Sequence, residues 1–321
     1  MHDFWGILSA VLPVFGLTAI GVWLRNVEWL TEEADQSLMR VVVNLLTPCL
    51  ILDKVIGNPA LREVSNLILP PLFGLGGVAL GMGIGWACRR LSGAATEREQ
   101  RTFAMGSGLQ NYGYVPQPII ETLFPASTLG LFFLHHLGVD IGTWTLGLVV
   151  LGHAGSRQWH KLINPPILAV GVAVGLNFLF AASWFPQEIL SVGRFLGTTN
   201  RMLGACCFPL GIILIGATMA ETVSELRAGA GWRLMGMSVV VRCGIMPVLM
   251  LIAARYLPGG PELKRVLIVE AAMPAAVFPI VMARHYGGDV LTAVRVVIAT
   301  SVVGFVTIPL WIKFGMWWIQ P

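Results

Sequence analysis

Residues 269–279 read Val269-Glu270-Ala271-Ala272-Met273-Pro274-Ala275-Ala276-Val277-Phe278-Pro279, a run apolar enough for a membrane helix that carries one carboxylate and two prolines near its middle. Each proline removes a backbone donor and clashes with the preceding turn, so the helix is expected to open where lipid cannot hydrate the freed carbonyls. Such a break survives only inside protein or beside a water-filled cavity. A carboxylate at bilayer depth costs at least about 2.5 kcal/mol on insertion scales, so Glu270 calls for a partner, an ion or a proton.

The rest of the chain agrees with a membrane setting. Its 321 residues are 55% hydrophobic and 12% charged, with a mean hydropathy of +0.75, which excludes a soluble globular domain. Apolar stretches of at least about 18 residues read as spans. They fall at roughly 4–24, 35–56, 65–88, 101–124, 129–152, 163–183, 196–220, 232–256, 263–285 and 290–312. The connections leave no room for a soluble domain, so the activity is expected inside the membrane. Met1-His2-Asp3 lacks the cationic region of a secretory signal, and the first helix is expected to be retained. The five cysteines all fall in expected spans and read as small packing residues, with no Cys/His spacing that matches a metal site.

Basic residues set the expected orientation. Arg89, Arg90, Arg98 and Arg101 form the densest cluster, on the same side as Arg25, Arg157, Lys161, Arg227, Arg233 and Arg284. The opposite loops carry Lys54, Arg62, Arg194, Arg255, Lys264, Arg265 and Lys313. The positive-inside rule makes the first group cytoplasmic and leaves both termini outside.

An internal repeat is legible. Arg40 and Pro48 recur as Arg201 and Pro209 at the same spacing, offset by 161 residues. The stretch from Gln110 through Pro116 to Pro118 lies about 163 residues before the Pro274–Pro279 break. Two sets of five spans must lie in opposite orientations, because five is odd. Inverted repeats with a broken helix at matching positions point to a secondary transporter whose site lies near the bilayer midplane. Half-helix N-termini there suit an anion, and unwound carbonyls suit a cation. Residues 1–152 and 163–321 are the expected repeats, with a short linker over 153–162.

At these residues the chain resembles the auxin efflux carrier family, which includes plant PIN-formed carriers and bacterial permeases. Arg40 with Pro48 resembles the family's second helix, and Asn111 with Pro118 its first crossover. Ala271-Ala272-Met273-Pro274 with Pro279, then Ala283-Arg284-His285-Tyr286-Gly287, resembles the second crossover, and Val241-Arg242-Cys243-Gly244-Ile245-Met246-Pro247 is similar to the eighth helix. The resemblance implies an all-α fold of ten transmembrane helices, built as two inverted five-helix repeats in which helices four and nine are broken and cross. Spans one, two, six and seven would form a dimerising scaffold and the others a moving transport domain. The crossover asparagine, here Asn111, would contact a substrate carboxylate. Ala275 follows Pro274 where plant members place a polar amide, which points away from auxin and toward small carboxylates such as malate or malonate. The long central loop of many plant carriers is missing. Bile acid sodium symporters are more distantly similar and place a sodium-binding glutamate where Glu270 stands.

Individual residues carry alternatives. Gln110, Asn111, Tyr112, Met273, Pro274 and Ala275 are expected to line the substrate site, with Asn44 and Thr47 from the second span, either as lining or as packing groups. Pro48, Pro116, Pro118, Pro209 and Pro279 are expected to break helices. Asp140 shares a helical face with His136 and Thr143, and either completes an ion site with Glu270 or is a buried carboxylate satisfied locally. Arg242, too deep to snorkel, is expected to pair with Asp140 or Glu270, or to clamp a substrate carboxylate. If Glu270 holds sodium, further oxygens would come from Asn111, the backbone near Met273 and Thr143; if it carries a proton, it must load near neutral pH. The glycine-dense third span reads as a close helix contact.

The chain carries no His-Glu-x-x-His and no phosphate-binding glycine loop, and Gly138-Val139-Asp140 lacks a partner aspartate, so an enzyme is not expected. The expectation is a homodimeric bacterial inner-membrane carrier of a small organic anion. It would be coupled to sodium or protons and bind no nucleic acid, no metal and no cofactor beyond a possible Na+. The alternative is an uncoupled facilitator or pore for organic anions such as auxin-like weak acids.

Overall fold

The computed structural model describes residues 4–153, 163–181, 187–225 and 231–320. Almost all of the expected linker lies outside them, as do Met1-His2-Asp3 and the orientation residues Arg157, Lys161 and Arg227; the side chain of Arg194 is outside as well. Among the described residues every regular element is a helix, apart from one isolated antiparallel bridge between Gln110 and Ala275. In chain order the α-helices are α1 (Phe4–Asn26), α2 (Glu32–Val41), α3 (Thr47–Val55), α4 (Val64–Cys88), α5 (Glu97–Gly108), α6 (Pro116–Leu123), α7 (Ser127–Gly142), α8 (Leu148–Val150), α9 (Pro165–Ala181) and α10 (Gln187–Glu225). They continue as α11 (Trp232–Val239), α12 (Met246–Tyr256), α13 (Pro261–Ala272), α14 (Phe278–His285) and α15 (Val290–Ile319).

Six continuous helical stretches among the described residues are long and apolar enough to cross a membrane: Trp5–Asn26, Val64–Cys88, Ser127–Val150, Leu196–Ala220, Trp232–Tyr256 and Val290–Ile319. This makes the chain a multi-pass membrane protein. The other four expected spans look different for local reasons. The stretches expected at 101–124 and 263–285 are each interrupted, giving α5 then α6 and α13 then α14. The stretch at 35–56 begins with Glu32, Glu33 and Asp35 behind the Thr31 N-cap, which makes its first two turns polar. The stretch at 163–183 appears as the shorter apolar helix Pro165–Leu179.

The prolines explain where helices stop. Proline restricts the residue before it to extended backbone, and Met273, which precedes Pro274, has φ −71° and ψ 141° and ends α13. Pro116 takes the first position of α6, and Pro279 lies in the first turn of α14, where a missing N–H costs nothing. Pro48 and Pro209 correct the sequence expectation, because neither breaks a helix. Pro209 lies inside continuous α10. Pro48 follows a π turn, Val42–Leu46, in which the Thr47 N–H reaches back five residues to the Val42 carbonyl. Pro247 repeats the device after the π turn Val240–Ile245. The wider π turn relieves the clash that a proline ring makes with the carbonyl four residues back. For Pro247 that carbonyl belongs to Cys243, and the Trp311 indole Nε1 donates to it at 2.8 Å.

Other ends are capped by side chains. Thr96 and Glu99 form a reciprocal capping box at α5, and Asp289 accepts the Thr292 N–H at 2.7 Å to start α15.

Two sets of helices pack internally: α1, α3, α9 and α10 form one, and α4, α5, α7, α11, α12, α13 and α15 the other. Helix α6 lies between them, touching α1, α7 and α13, and the sets also meet where α1 and α10 touch α15 and where α3 and α9 touch α7. The α4–α7 contact depends on small residues. A Cβ on Gly138 would stand 1.8 Å from the Pro71 carbonyl oxygen, and one on Gly74 would stand 2.2 Å from that of His135. Backbone-to-backbone approach of this kind is how apolar helices associate in lipid, where no hydrophobic force separates protein from solvent. Gly138→Ala is therefore expected to push α4 away from α7 and to cost about 1–3 kcal/mol. The thermal midpoint of the purified variant checks this, and an unchanged midpoint would show that the contact is slack.

Candidate functional site

The two helix interruptions meet. The first, between Gly108 and Pro116, and the second, between Ala272 and Phe278, run antiparallel past each other at Gln110 and Ala275. The Asn111 N–H donates to the Pro274 carbonyl at 2.8 Å, and the Ala276 N–H donates to the Leu109 carbonyl at 2.9 Å. A third bond comes from α15, where Thr300 Oγ1 accepts the Ala275 N–H at 3.1 Å and donates to the Val296 carbonyl at 2.8 Å. Opened backbone at membrane depth must find partners inside the protein, and these bonds supply them. Thr300 has no distinguishing sequence context, and reading the chain alone missed it.

Arg242, fully buried in the π turn before Pro247, supplies two more bonds. Its Nε donates to the Met273 carbonyl at 2.9 Å and one terminal nitrogen to the Ala271 carbonyl at 3.4 Å. This corrects the expected ion pair, since among the described residues no carboxylate lies within 4.0 Å of the guanidinium. The reason is local: the break frees the carbonyls at the end of α13, and a planar fork of donors reaches them directly. The guanidinium still acts on Glu270 through its charge.

Glu270 is fully buried on the last turn of α13, and neither of its oxygens has a hydrogen-bond partner. Gln110 is also fully buried, its amide is the polar group beside the carboxylate, and both of its side-chain polar atoms are unpartnered as well. His136 on α7 places Nε2 4.0 Å from Glu270 Oε1. The Tyr112 ring, from the first interruption, stands edge-on to the His136 ring at 5.2 Å, and its hydroxyl donates to Asp140 Oδ1 at 2.8 Å. Glu270, His136, Tyr112 and Asp140 thus follow one another between α13 and α7, joined by one close approach, one ring contact and one hydrogen bond. The sequence placed His136 and Asp140 on one face; that this face is turned toward Glu270 is visible only in the fold.

The remaining expected residues divide. Met273, Pro274 and Ala275 are buried in the second interruption, and Asn111 is half-buried in the first. Thr143 is not brought to the carboxylates, because its hydroxyl donates to the Val139 carbonyl of its own helix at 2.8 Å. Asn44 is exposed, whereas Thr47 lies 3.3 Å from Cys207 Sγ and faces the Tyr114 hydroxyl. Tyr114, which sequence reading passed over, therefore ties the first interruption to α3 and α10.

The half-helix N-termini offer fewer donors than two helix starts imply. Pro116 and Pro118 occupy the first and third positions of α6, and Pro279 the second of α14, so those N–H groups do not exist. An anion held here would depend on the few first-turn N–H groups left, Gln117 and Ile119 of α6 and Phe278 of α14 among them, and on side chains such as Asn111. Among the described residues no cluster of three or more His, Cys, Asp or Glu side chains could hold a metal ion.

Comparison with known proteins gives transporters along nearly the whole chain. The model of a family described as "Membrane transport protein" matches residues 6–158 and 153–312. An uncharacterized transporter of Methanothermobacter thermautotrophicus is 26% identical over 320 residues, covering 96% of this chain and 98% of that protein. A second uncharacterized transporter, from Methanocaldococcus jannaschii, is 20% identical over 311 residues, covering 95% and 97% respectively. With its described residues helical, its long apolar spans and a family match over nearly its whole length, the chain belongs to the membrane transport protein family, that of the auxin efflux carriers.

Proposed function

We propose that this protein is a secondary active transporter that moves a small organic anion of the carboxylate class by alternating access, coupled to sodium or protons. The observation that carries the reading is the meeting of two interrupted helices around Glu270, a buried carboxylate without a hydrogen-bond partner. A static packing element gains nothing from such a group, whereas a carrier uses it to bind and release an ion.

The fold in this reading is ten transmembrane helices in two inverted repeats, 1–152 and 163–321. The segments α5–α6 and α13–α14 form the crossover. The set α1, α3, α9 and α10 is the scaffold through which two copies dimerise, and the other set is the transport domain that carries the site across. The protein sits in a bacterial inner membrane with both termini outside, following the basic cluster Arg89–Arg101. Asn111, with Gln110, Tyr112 and the Met273–Ala275 backbone, holds the substrate carboxylate, and Thr47 closes the scaffold side.

Thermal stability of the purified protein with a panel of mono- and dicarboxylates, malate and malonate among them, tests this. A ligand bound only by the folded state stabilises it by about 2.7 kcal/mol at one hundred times its Kd. One or more carboxylates are expected to raise the midpoint. Asn111→Ala is expected to weaken that effect at least about tenfold in Kd, from the loss of one hydrogen bond to a charged group, with the ligand-free midpoint unchanged. Equal affinity in the variant would remove the substrate from the crossover. Single-channel currents would replace the carrier with a pore.

A further inference from the structure

We propose that the coupling ion is a proton, held between Glu270 and His136. The inference rests on the transporter reading and names its ion.

The first argument is the oxygen inventory. A hard cation is held by about six oxygens, and a broken helix usually supplies several of them as free carbonyls. Here five of the carbonyls beside the two breaks already accept bonds. Arg242 takes Ala271 and Met273, the Asn111 N–H takes Pro274, and the Ala276 N–H takes Leu109. The Glu270 carbonyl receives the Met273 N–H at 3.3 Å. The Thr143 hydroxyl is turned into its own helix. The side-chain oxygen beside the carboxylate is that of one amide, Gln110. A fixed guanidinium, moreover, already acts on Glu270 by its charge, which disfavours a second permanent cation.

The second argument is what stands there instead. His136 Nε2, also without a hydrogen-bond partner, is 4.0 Å from Glu270 Oε1, a gap that a small rotation or one water closes. Once that gap is closed, a carboxyl and an imidazole share one proton. It binds on Glu270 Oε1 as a neutral carboxyl, or passes to Nε2 to give carboxylate and imidazolium. Either way the pair carries one added charge when loaded. Tyr112 packs edge-on against the His136 ring and donates to Asp140, which ties the ring beside the pair to α7. The titratable and charged groups around Glu270 are therefore Arg242 from the π turn before α12, Tyr112 from the first interruption beside the Gln110 amide, and His136 from α7, with His135 next to His136 and Asp140 bonded to Tyr112; Thr300 on α15 is bonded to the neighbouring backbone. Arg255 of α12 and Glu121 of α6 are occupied elsewhere, by the Trp318 carbonyl and by Lys54. Arg295 and Lys313 lie toward the ends of α15.

Infrared difference spectra of the full-length protein, titrated from acid to alkaline pH in sodium chloride and in choline chloride at equal ionic strength, test this without a substrate. The expected result is a protonated-carboxyl carbonyl band that disappears with rising pH, is absent in Glu270→Gln, shifts its midpoint in His136→Gln, and is the same in both salts. A band displaced by sodium at fixed pH overturns the proposal in favour of a sodium site. A titrating band that persists in Glu270→Gln overturns the assignment to Glu270. Neither outcome touches the carboxylate-binding assay, which tests the transporter reading separately.

Discussion

Arg242→Ala is expected to be among the most damaging single substitutions in this protein, lowering stability by about 2–4 kcal/mol. The guanidinium is fully buried and bonds two carbonyls, Ala271 and Met273, at the end of a half-helix with no water to replace it. A hydrogen bond from a charged donor contributes about 1.5–3 kcal/mol, and an abandoned buried acceptor costs about 1–3 kcal/mol. Removing the arginine also strips Glu270 of its compensating charge. Arg242→Lys keeps the charge but loses the fork, so it should recover part of the loss. Arg242→Ala combined with Glu270→Gln should recover another part, and a double-mutant cycle on thermal midpoints measures the coupling. A single variant as stable as the wild type would mean that the opened end of α13 does not need its arginine.

Glu270→Gln is expected to act in the opposite way, leaving the fold intact and abolishing coupling. The substitution keeps shape and hydrogen-bonding capacity and removes only the ability to exchange a charge. Because neither carboxylate oxygen has a hydrogen-bond partner, stability should be unchanged or slightly higher. Exchange of labelled for unlabelled substrate across a liposome membrane should persist, while dependence of net uptake on the ion gradient disappears. If the variant still responds to the gradient as the wild type does, Glu270 is not the coupling group.

Much of this architecture is legible in the residues. Pro274 dictates an extended Met273, and a carboxylate four residues earlier at bilayer depth marks the place that matters. The long apolar spans show in hydropathy because most of their exposed positions are apolar. What was not legible depends on three-dimensional contacts. Arg242 advertises a carboxylate partner in sequence, yet its acceptors are carbonyls that exist only because the helix beside it has opened. Pro48 and Pro209 read as breaks, but a π turn absorbs the first and continuous helix surrounds the second, and neither leaves a periodic signature. Thr300 and Tyr114 look like ordinary span residues until the packing brings one to the Ala275 N–H and the other to Thr47. Thr143 was expected at the site because it shares a face with Asp140, but a threonine in an apolar helix satisfies its hydroxyl one turn back.

The most direct test of the central claim is accumulation of labelled malonate, or of whichever carboxylate stabilises the protein, in liposomes carrying the purified wild type under an imposed pH gradient. The account predicts accumulation above the external concentration, collapsing when the gradient is dissipated and unaffected by replacing sodium with choline. Uptake that only equilibrates, with or without the gradient, would contradict it and make the protein an uncoupled facilitator.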